Sequence, residues 1–203
     1  MSENGTPLIS VVIPAFNGEA TLANTLESLL AQTFEDWEGV VVDDGSTDDT
    51  AGVAARLVGS DSRFRVHTQP NGGVSRARNA GIALAKAPWL FFLDADDWIA
   101  PDAFESLLRA PLEQTDVVHG GFVRIDAEGR EEREEAVAAG TDLFPILVRT
   151  CAFSIHCCLS RTEQVRAVGG FDESLATCED WDLWQRLARS GAHFARIPEY
   201  IAY

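Results

Sequence analysis

Four polar clusters in this 203-residue chain are spaced so that they could do chemistry. Asp94, Asp96 and Asp97 crowd three carboxylates into four positions, directly after the apolar run Trp89 to Leu93. Like charges this close raise one another's pKa. A divalent cation relieves that repulsion. Hard oxygen ligands suit Mg2+ or Mn2+, and Mg2+ typically takes one or two carboxylates plus substrate phosphates. The cluster therefore reads as a platform for a metal and a diphosphate, against the plainer reading of a strand followed by an acidic, helix-capping loop. Asp43-Asp44-Gly45-Ser46 follows a second apolar run. Its carboxylates can accept from a base N–H or a ribose hydroxyl, although the same four residues make a good turn and N-cap unaided. Asn71-Gly72-Gly73 leads into a helix start carrying Arg76 and Arg78. Helix N-termini and arginines both favour phosphate or carboxylate; the competing reading is a turn whose arginines pair with an acidic surface. Glu179, Asp180 and Asp182 open an amphipathic stretch, where acids stabilise the helix dipole or hold a general base rigidly.

These residues need a scaffold that brings them together. Leu8–Ile13 is a continuous apolar run with β-branched residues, expected as a central strand ended by Pro14. Helical spacing follows over 20–31, then a strand over 37–42, and Ser46 with Asp49 resembles a capping box opening a helix to about Val58. A short strand is expected over 64–68, a helix over 74–85, and a strand buried on both faces from Trp89. This alternation implies a mostly parallel sheet with helices on both faces. Ligand-competent residues recur after the first, second and fourth strands, whose C-terminal ends share one sheet edge. Further on, a helix is expected from Pro101 to about Arg109, a strand over 116–125 closed by a turn over 126–129, and a solvated hairpin or loop in the charge run 128–135. Helices are expected over 143–148, 161–168 and 179–188, with strands over 154–159 and 194–197.

A formal charge of −16 argues against non-specific binding to nucleic acid or anionic lipid, but permits an anionic substrate beside a local metal. No apolar run reaches the length of a membrane span, and the first ten residues lack the basic and apolar regions of a signal peptide. A cytoplasmic location follows as the expectation, at the inner face of a membrane if partners or further segments hold it there. Cys151, Cys157, Cys158 and Cys178 form no C-x-x-C pair and are expected as buried, reduced thiols, with redox sensitivity or an acceptor-pocket role as the alternative. His67, His119, His156 and His193 are scattered and expected to be structural. No nucleophile elbow, P-loop or dinucleotide fingerprint occurs.

Six blocks in order resemble glycosyltransferase family 2, of the GT-A fold: VVIPAFN (11–17), VVDDGSTDDT (41–50), NGGVSRARNAGI (71–82), FLDADD (92–97), GGFDE (169–173) and CEDWDLWQRLA (178–188). The resemblance covers nearly the whole chain and implies an α/β fold with a Rossmann-like nucleotide-binding half. It implies one domain over 1–203, with about 1–100 holding the sugar nucleotide and about 101–203 the acceptor. The implied roles go residue by residue. Pro14, Phe16 and Asn17 line the nucleoside pocket, and Asp44 with Asp43 beside it reads the base. Asn71, Gly72, Arg76 and Arg78 lie over the donor, with an arginine near diphosphate or sugar. Asp94 and Asp96 form the D-x-D pair; Asp96 and Asp97 reach the ribose and metal, and Asp180 is the catalytic base.

The implied activity is inverting transfer of a sugar from a nucleotide-diphosphate sugar, most often a UDP-sugar, to a hydroxyl of a glycan, lipid-linked or other acceptor, with Mn2+ or Mg2+. A sugar nucleotide leaves as a diphosphate, so a cation stabilises charge on the leaving oxygens while a separate carboxylate takes the acceptor's proton. The alternative from another class is a non-catalytic module that binds sugar nucleotide or glycan. Many family members continue past the last strand with a segment that closes over the acceptor and adds a histidine near the metal. No residue here is expected to fill that role, which fits a truncated piece or a minimal domain with an open acceptor side.

Overall fold

The computed structural model describes residues 5–126, 128–134 and 143–203. The first four residues of the N-terminal stretch, Ala127 of the expected turn and Glu135 at the end of the charge run lie outside them.

The first half alternates strand and helix: β1 (Ile9–Ala15), α1 (Leu22–Leu30), β2 (Trp37–Asp43), α2 (Thr50–Val58), β3 (Phe64–Thr68), α3 (Val74–Leu84) and β4 (Trp89–Phe92). The second half holds α4 (Ala103–Leu108), β5 (Val117–Ile125), β6 (Glu131–Glu134), α5 (Phe144–Leu147), β7 (Cys158–Arg161), α6 (Thr162–Ala167), α7 (Glu179–Arg189) and β8 (Phe194–Ala202). The strands form one sheet in the order β3-β2-β1-β4-β7-β5-β6, with β8 added to β5. Pairing is parallel from β3 to β4, antiparallel from β4 through β7 and β5 to β6, and parallel again between β5 and β8.

Burial explains the apolar runs. The side chains of β1 and β4 are covered on both faces by helices and loops. In β4, Phe91 packs edge-on against Phe104 of α4, with centroids 5.3 Å apart. Its neighbour Phe92 points to the other face and meets Phe171 at 5.0 Å. On that face α3 lies so close to β1 that a Cβ at Gly81 would stand 2.2 Å from Val12 Cγ1, so only glycine lets the helix dock there.

Several local expectations change. Pro14 lies inside β1, paired with Val42 of β2. The strand tolerates it because the pairing of β1 with β4 ends at Val12, so no sheet partner awaits its missing N–H on that side. The capping box does not form: α2 begins at Thr50 with Asp49 as N-cap, and the Ser46 hydroxyl instead accepts from Asn17 N–H at 3.0 Å. The strand expected over 154–159 opens as a 3-10 turn over Ile155–Cys157, and β7 follows it. The final strand runs nine residues rather than four, because β5 offers β8 a long parallel partner. The charge run forms β6, a hairpin strand against β5. Cys157 and Cys158 are buried, but Cys151 and Cys178 are exposed, and all four are free thiols.

Candidate active site

The loops after β1 and β2 are laced together. Asn17 adopts the left-handed conformation (φ 52°), and its side-chain oxygen accepts from Thr47 N–H at 2.8 Å. Gly18 N–H donates to Thr50 Oγ1 at 2.8 Å. Asp43 is buried, accepts from Ser46 N–H at 3.0 Å, and holds the turn from within. Asp44 does more. Its carboxylate accepts from Gln69 Nε2 at 2.7 Å, from Gly72 N–H at 3.0 Å and from Gly73 N–H at 2.8 Å, while its carbonyl accepts from Asn71 Nδ2 at 3.0 Å. Asp44 thus fixes the Asn71–Gly73 turn at the start of α3. Gly45 allows this close approach: it sits at φ 74°, and a Cβ there would stand 2.7 Å from Asn71 N. Above this floor lies a cleft of about 200 Å³ lined by Pro14, Phe16, Asp44, Asn71, Gly73 and Val74. Phe16 is 52% exposed and offers apolar ring surface to the cleft. Arg76 is exposed beside Gly72 and has no ion-pair partner among the described residues.

Asp43 and Arg78 depart from their expected places. Asp43 is spent on the turn and does not line the cleft. Arg78 is only 2% exposed and faces inward. Its Nη2 donates to both oxygens of Asp94 at 2.8 and 2.9 Å, and its Nη1 donates to Glu179 Oε1 at 2.7 Å. Burial opposes its charge, but Asp94 and then Glu179 outweigh that and hold its pKa above the ordinary arginine value. Asp94 is therefore neutralised from behind by an arginine.

The next acids face open space. Asp97 Oδ2 lies 2.8 Å from His156 Nδ1. Burial works against the imidazolium, yet the hydrogen bond and charge of Asp97 raise the His156 pKa. His156 was expected to be structural; the fold places it on the acidic cluster, and no spacing signal in the sequence pointed there. Asp96 has no such partner among the described residues. Loss of surrounding water, then the charges of Asp97 and Asp94, push its pKa above the usual carboxylate range. It lines a cleft of about 430 Å³ beside Phe16 and Asn17, and also a second cleft of about 490 Å³.

Asp180 stands in that second cleft, with His156, Cys151, Trp98 and Tyr203. It occupies the first turn of α7, next to Glu179, and accepts from Trp181 N–H at 2.7 Å. Burial raises its pKa and the Glu179 charge adds to that, against the Trp181 N–H and the Arg78 charge. A half-buried carboxylate with a raised pKa and open lone pairs can take a proton. The pKa of the Cys151 thiol is raised to about 11 by partial desolvation and then by the Asp180 charge, which disfavours its thiolate. Trp98 and Tyr203 stack with planes 7° apart and form an aromatic wall.

Among the described residues, no three His, Cys, Asp or Glu side chains are grouped so as to hold a metal unaided. Asp94 is taken by Arg78 and Asp97 by His156, which leaves Asp96 open and Asp97 partly so. The carboxylates left open, Asp96 and part of Asp97, offer hard oxygens. That set fits a Mg2+ or Mn2+ ion which takes one or two carboxylates and draws its other ligands from water and phosphate.

The model for "Glycosyl transferase family 2" matches residues 10–161. Hyaluronan synthase of Pasteurella multocida is 30% identical over 194 residues, covering 93% of this chain and 19% of that protein. Among solved structures, S. aureus TarS 1-349 in complex with UDP-GlcNAc superposes with a TM-score of 0.81 at 23% identity, over 97% of this chain and 58% of that one. The mannosyltransferase PcManGT from Pyrobaculum calidifontis, in complex with GDP-Man and Mn2+, superposes at 0.74 with 19% identity, over 96% of this chain and 55% of that one. The chain thus spans well under two thirds of the length of each.

Proposed function

The chain belongs to glycosyl transferase family 2 and has the GT-A fold, and from that premise we propose that it moves a sugar from a nucleotide-diphosphate sugar, a UDP-sugar first, to an acceptor hydroxyl with inversion at C1. One observation carries this reading: Asp96 is a shared wall of two clefts, and Asp180 lines only the second. A donor lying in the first cleft presents its C1 near Asp96. An acceptor in the second meets Asp180 on the opposite side.

The work divides between the halves of one domain, about 1–100 for the donor and about 101–203 for the acceptor. Phe16 and Pro14 offer the base an apolar face. The Asn71–Gly73 turn, held by Asp44, lies beside it, and any base N–H that reaches Asp44 shares oxygens with Gly72 and Gly73. Arg76 meets the diphosphate, as an exposed cation with no ion-pair partner among the described residues. Asp96 and Asp97 would hold the divalent ion, which when bound offsets the charge that builds on the leaving diphosphate. Asp180 takes the proton of the acceptor O–H as that oxygen attacks C1, and the bond from C1 to the phosphate oxygen breaks. The nucleoside diphosphate leaves with the electron pair. Trp98 and Tyr203 give the acceptor an aromatic wall. No helix among the described residues is long and apolar enough to cross a membrane.

The deciding measurement is release of UDP from UDP-sugars, with GDP- and dTDP-sugars in the same panel, with Mn2+ and with EDTA. Sugar release that needs the ion supports the enzyme. Tight nucleotide binding without any turnover, across donors and acceptors, would leave a binding module instead. UDP affinity equal in Mn2+ and EDTA would remove the metal platform.

A further inference from the structure

We propose that Arg78 is a positioning residue: together with Asn79 it clamps the segment from Phe171 to Glu179 onto the end of β4, and so sets the distance between Asp180 and the acidic cluster. The proposal rests on the reading of Asp180 as the base.

The base and the acids lie on different halves of the chain, more than eighty residues apart, yet they must act on one bond. Something has to fix their spacing. α7 does not fix its own start. Its N-cap, Cys178, sits in the left-handed region at φ 60° and offers no side-chain cap. The stretch before it, Asp172 to Cys178, is exposed along its length.

Two adjacent residues of α3 reach across to this segment. Asn79 behaves as a double-sided bracket: its Oδ1 accepts from Phe171 N–H at 2.8 Å, while its Nδ2 donates to Phe171 O and to Glu173 Oε1, each at 2.9 Å. Arg78 then spans from Glu179 to Asp94 with one guanidinium, whose carbon stands 5.1 Å from the centre of the Phe171 ring. Phe171 itself packs on Phe92, the last residue of β4. The rigid fork of arginine matters here, because its two terminal nitrogens reach two carboxylates at a fixed separation. Asp94 precedes Asp96 by two positions and Glu179 precedes Asp180 by one, so the fork ties the two proposed reactive carboxylates at one remove each. A lysine has the charge but a single nitrogen.

Arg78→Lys is the first test. The variant is expected to fold, and to bind UDP with Mn2+ within about twofold of the parent, because Arg78 lies behind Asp94 rather than in the cleft. Turnover of the donor should fall about 10- to 100-fold with donor KM little changed, the size that a shift of about 1 Å produces. Backbone amide exchange should quicken over 179–183 and stay unchanged in β1 and β4. A loss of rate that follows only the folded fraction, or exchange that quickens equally everywhere, would make Arg78 merely structural and overturn the proposal. Should Arg78→Lys fail to fold, Glu179→Ala cuts the α7 end of the clamp and leaves the Arg78–Asp94 pair; it should reproduce the kcat loss, and Glu179→Gln, which still accepts from Nη1, should restore most of it. Equal rates in Ala and Gln would also sink the clamp. Asp180→Asn in the same assay separates the two readings. If it keeps its rate while Arg78→Lys loosens 179–183, the base assignment fails, and the proposal falls with it. If it is dead and Arg78→Lys matches the parent in both rate and exchange, only the clamp is lost.

Discussion

The two ends of the parallel strands both bury acids, and they treat them in opposite ways. At the N-terminal end, Glu38 of β2 is 6% exposed and saturated with donors. Ser10 Oγ and Lys86 N–H each lie at 2.7 Å from its Oε1, and Arg65 Nη2 lies at 2.9 Å from its Oε2. At the C-terminal end, Asp96 and Asp180 keep open lone pairs, and burial raises the pKa of each. The larger hollow of the two lies at the N-terminal end, away from the proposed site: about 660 Å³ beside Trp37, Arg63, Arg65 and Lys86, against about 490 Å³ beside Asp180. The proposed site is picked out by its acids and not by cavity size. A carboxylate whose hydrogen bonds are complete is holding the fold together, whereas one left short of donors is available to substrate.

The sharpest way to break that contrast is a pair of isosteric changes. Asp180→Asn should cut turnover by about 10²- to 10⁴-fold, the usual contribution of a positioned base, with UDP affinity by calorimetry unchanged. Glu38→Gln should leave turnover intact and lower stability by about 1.5–3 kcal/mol, the range for a hydrogen bond to a charged group, read by denaturant titration. If Glu38→Gln lost activity at full folding, or if Asp182→Asn rather than Asp180→Asn were the dead variant, the division between saturated and open acids would be drawn in the wrong place.

Asp44 is the intermediate case, since its carboxylate is saturated by Gln69 and by the Gly72 and Gly73 N–H groups and yet lines the proposed nucleoside cleft. Asp44→Ala frees Gly72 and Gly73 N–H and removes any contact to a base N–H. Nucleotide affinity should weaken by about 1–3 kcal/mol, with preference among UDP, GDP and dTDP blurred. A variant that melts early while keeping full affinity per folded molecule would move Asp44 to the structural side.

The smallest effect is on pH. The folded-state pKa of Asp180 is raised above 3.8. Its ionised, proton-accepting form is therefore present above that raised value and is lost as pH falls through it, so the acid limb of kcat should lie higher than for an ordinary aspartate. Glu179 contributes to the rise and Arg78 opposes it. Glu179→Gln should consequently shift the limb to lower pH, while Glu38→Gln should leave it where it is. An unchanged limb in Glu179→Gln would show that the group being titrated is not Asp180.

Much of the fold could be read in the chain, because buried parallel strands leave strong local signals. β3 falls on its expected range, Phe64–Thr68, and β2 runs one residue beyond its own. Expectations failed where a long-range partner overrode a local preference. Ser46 gave up its capping role to bond Asn17, across 29 positions, and β8 grew along β5 well past the four residues expected of it. The ligand-competent residues after β1, β2 and β4 had to share an edge once the strands were parallel, and type and order of residues carried that much. Which of those acids remain free is another matter. The sequence presents Asp43, Asp44, Asp94, Asp96, Asp97 and Asp180 as equals in chemistry, and Arg76 and Arg78 as interchangeable cations. Only the tertiary arrangement turned Arg78 of α3 toward Asp94 and Glu179, and brought His156 of the 3-10 turn to Asp97, because the donors that complete a carboxylate come from residues 16 to 101 positions away. Such contacts depend on how helices dock, which no local spacing encodes.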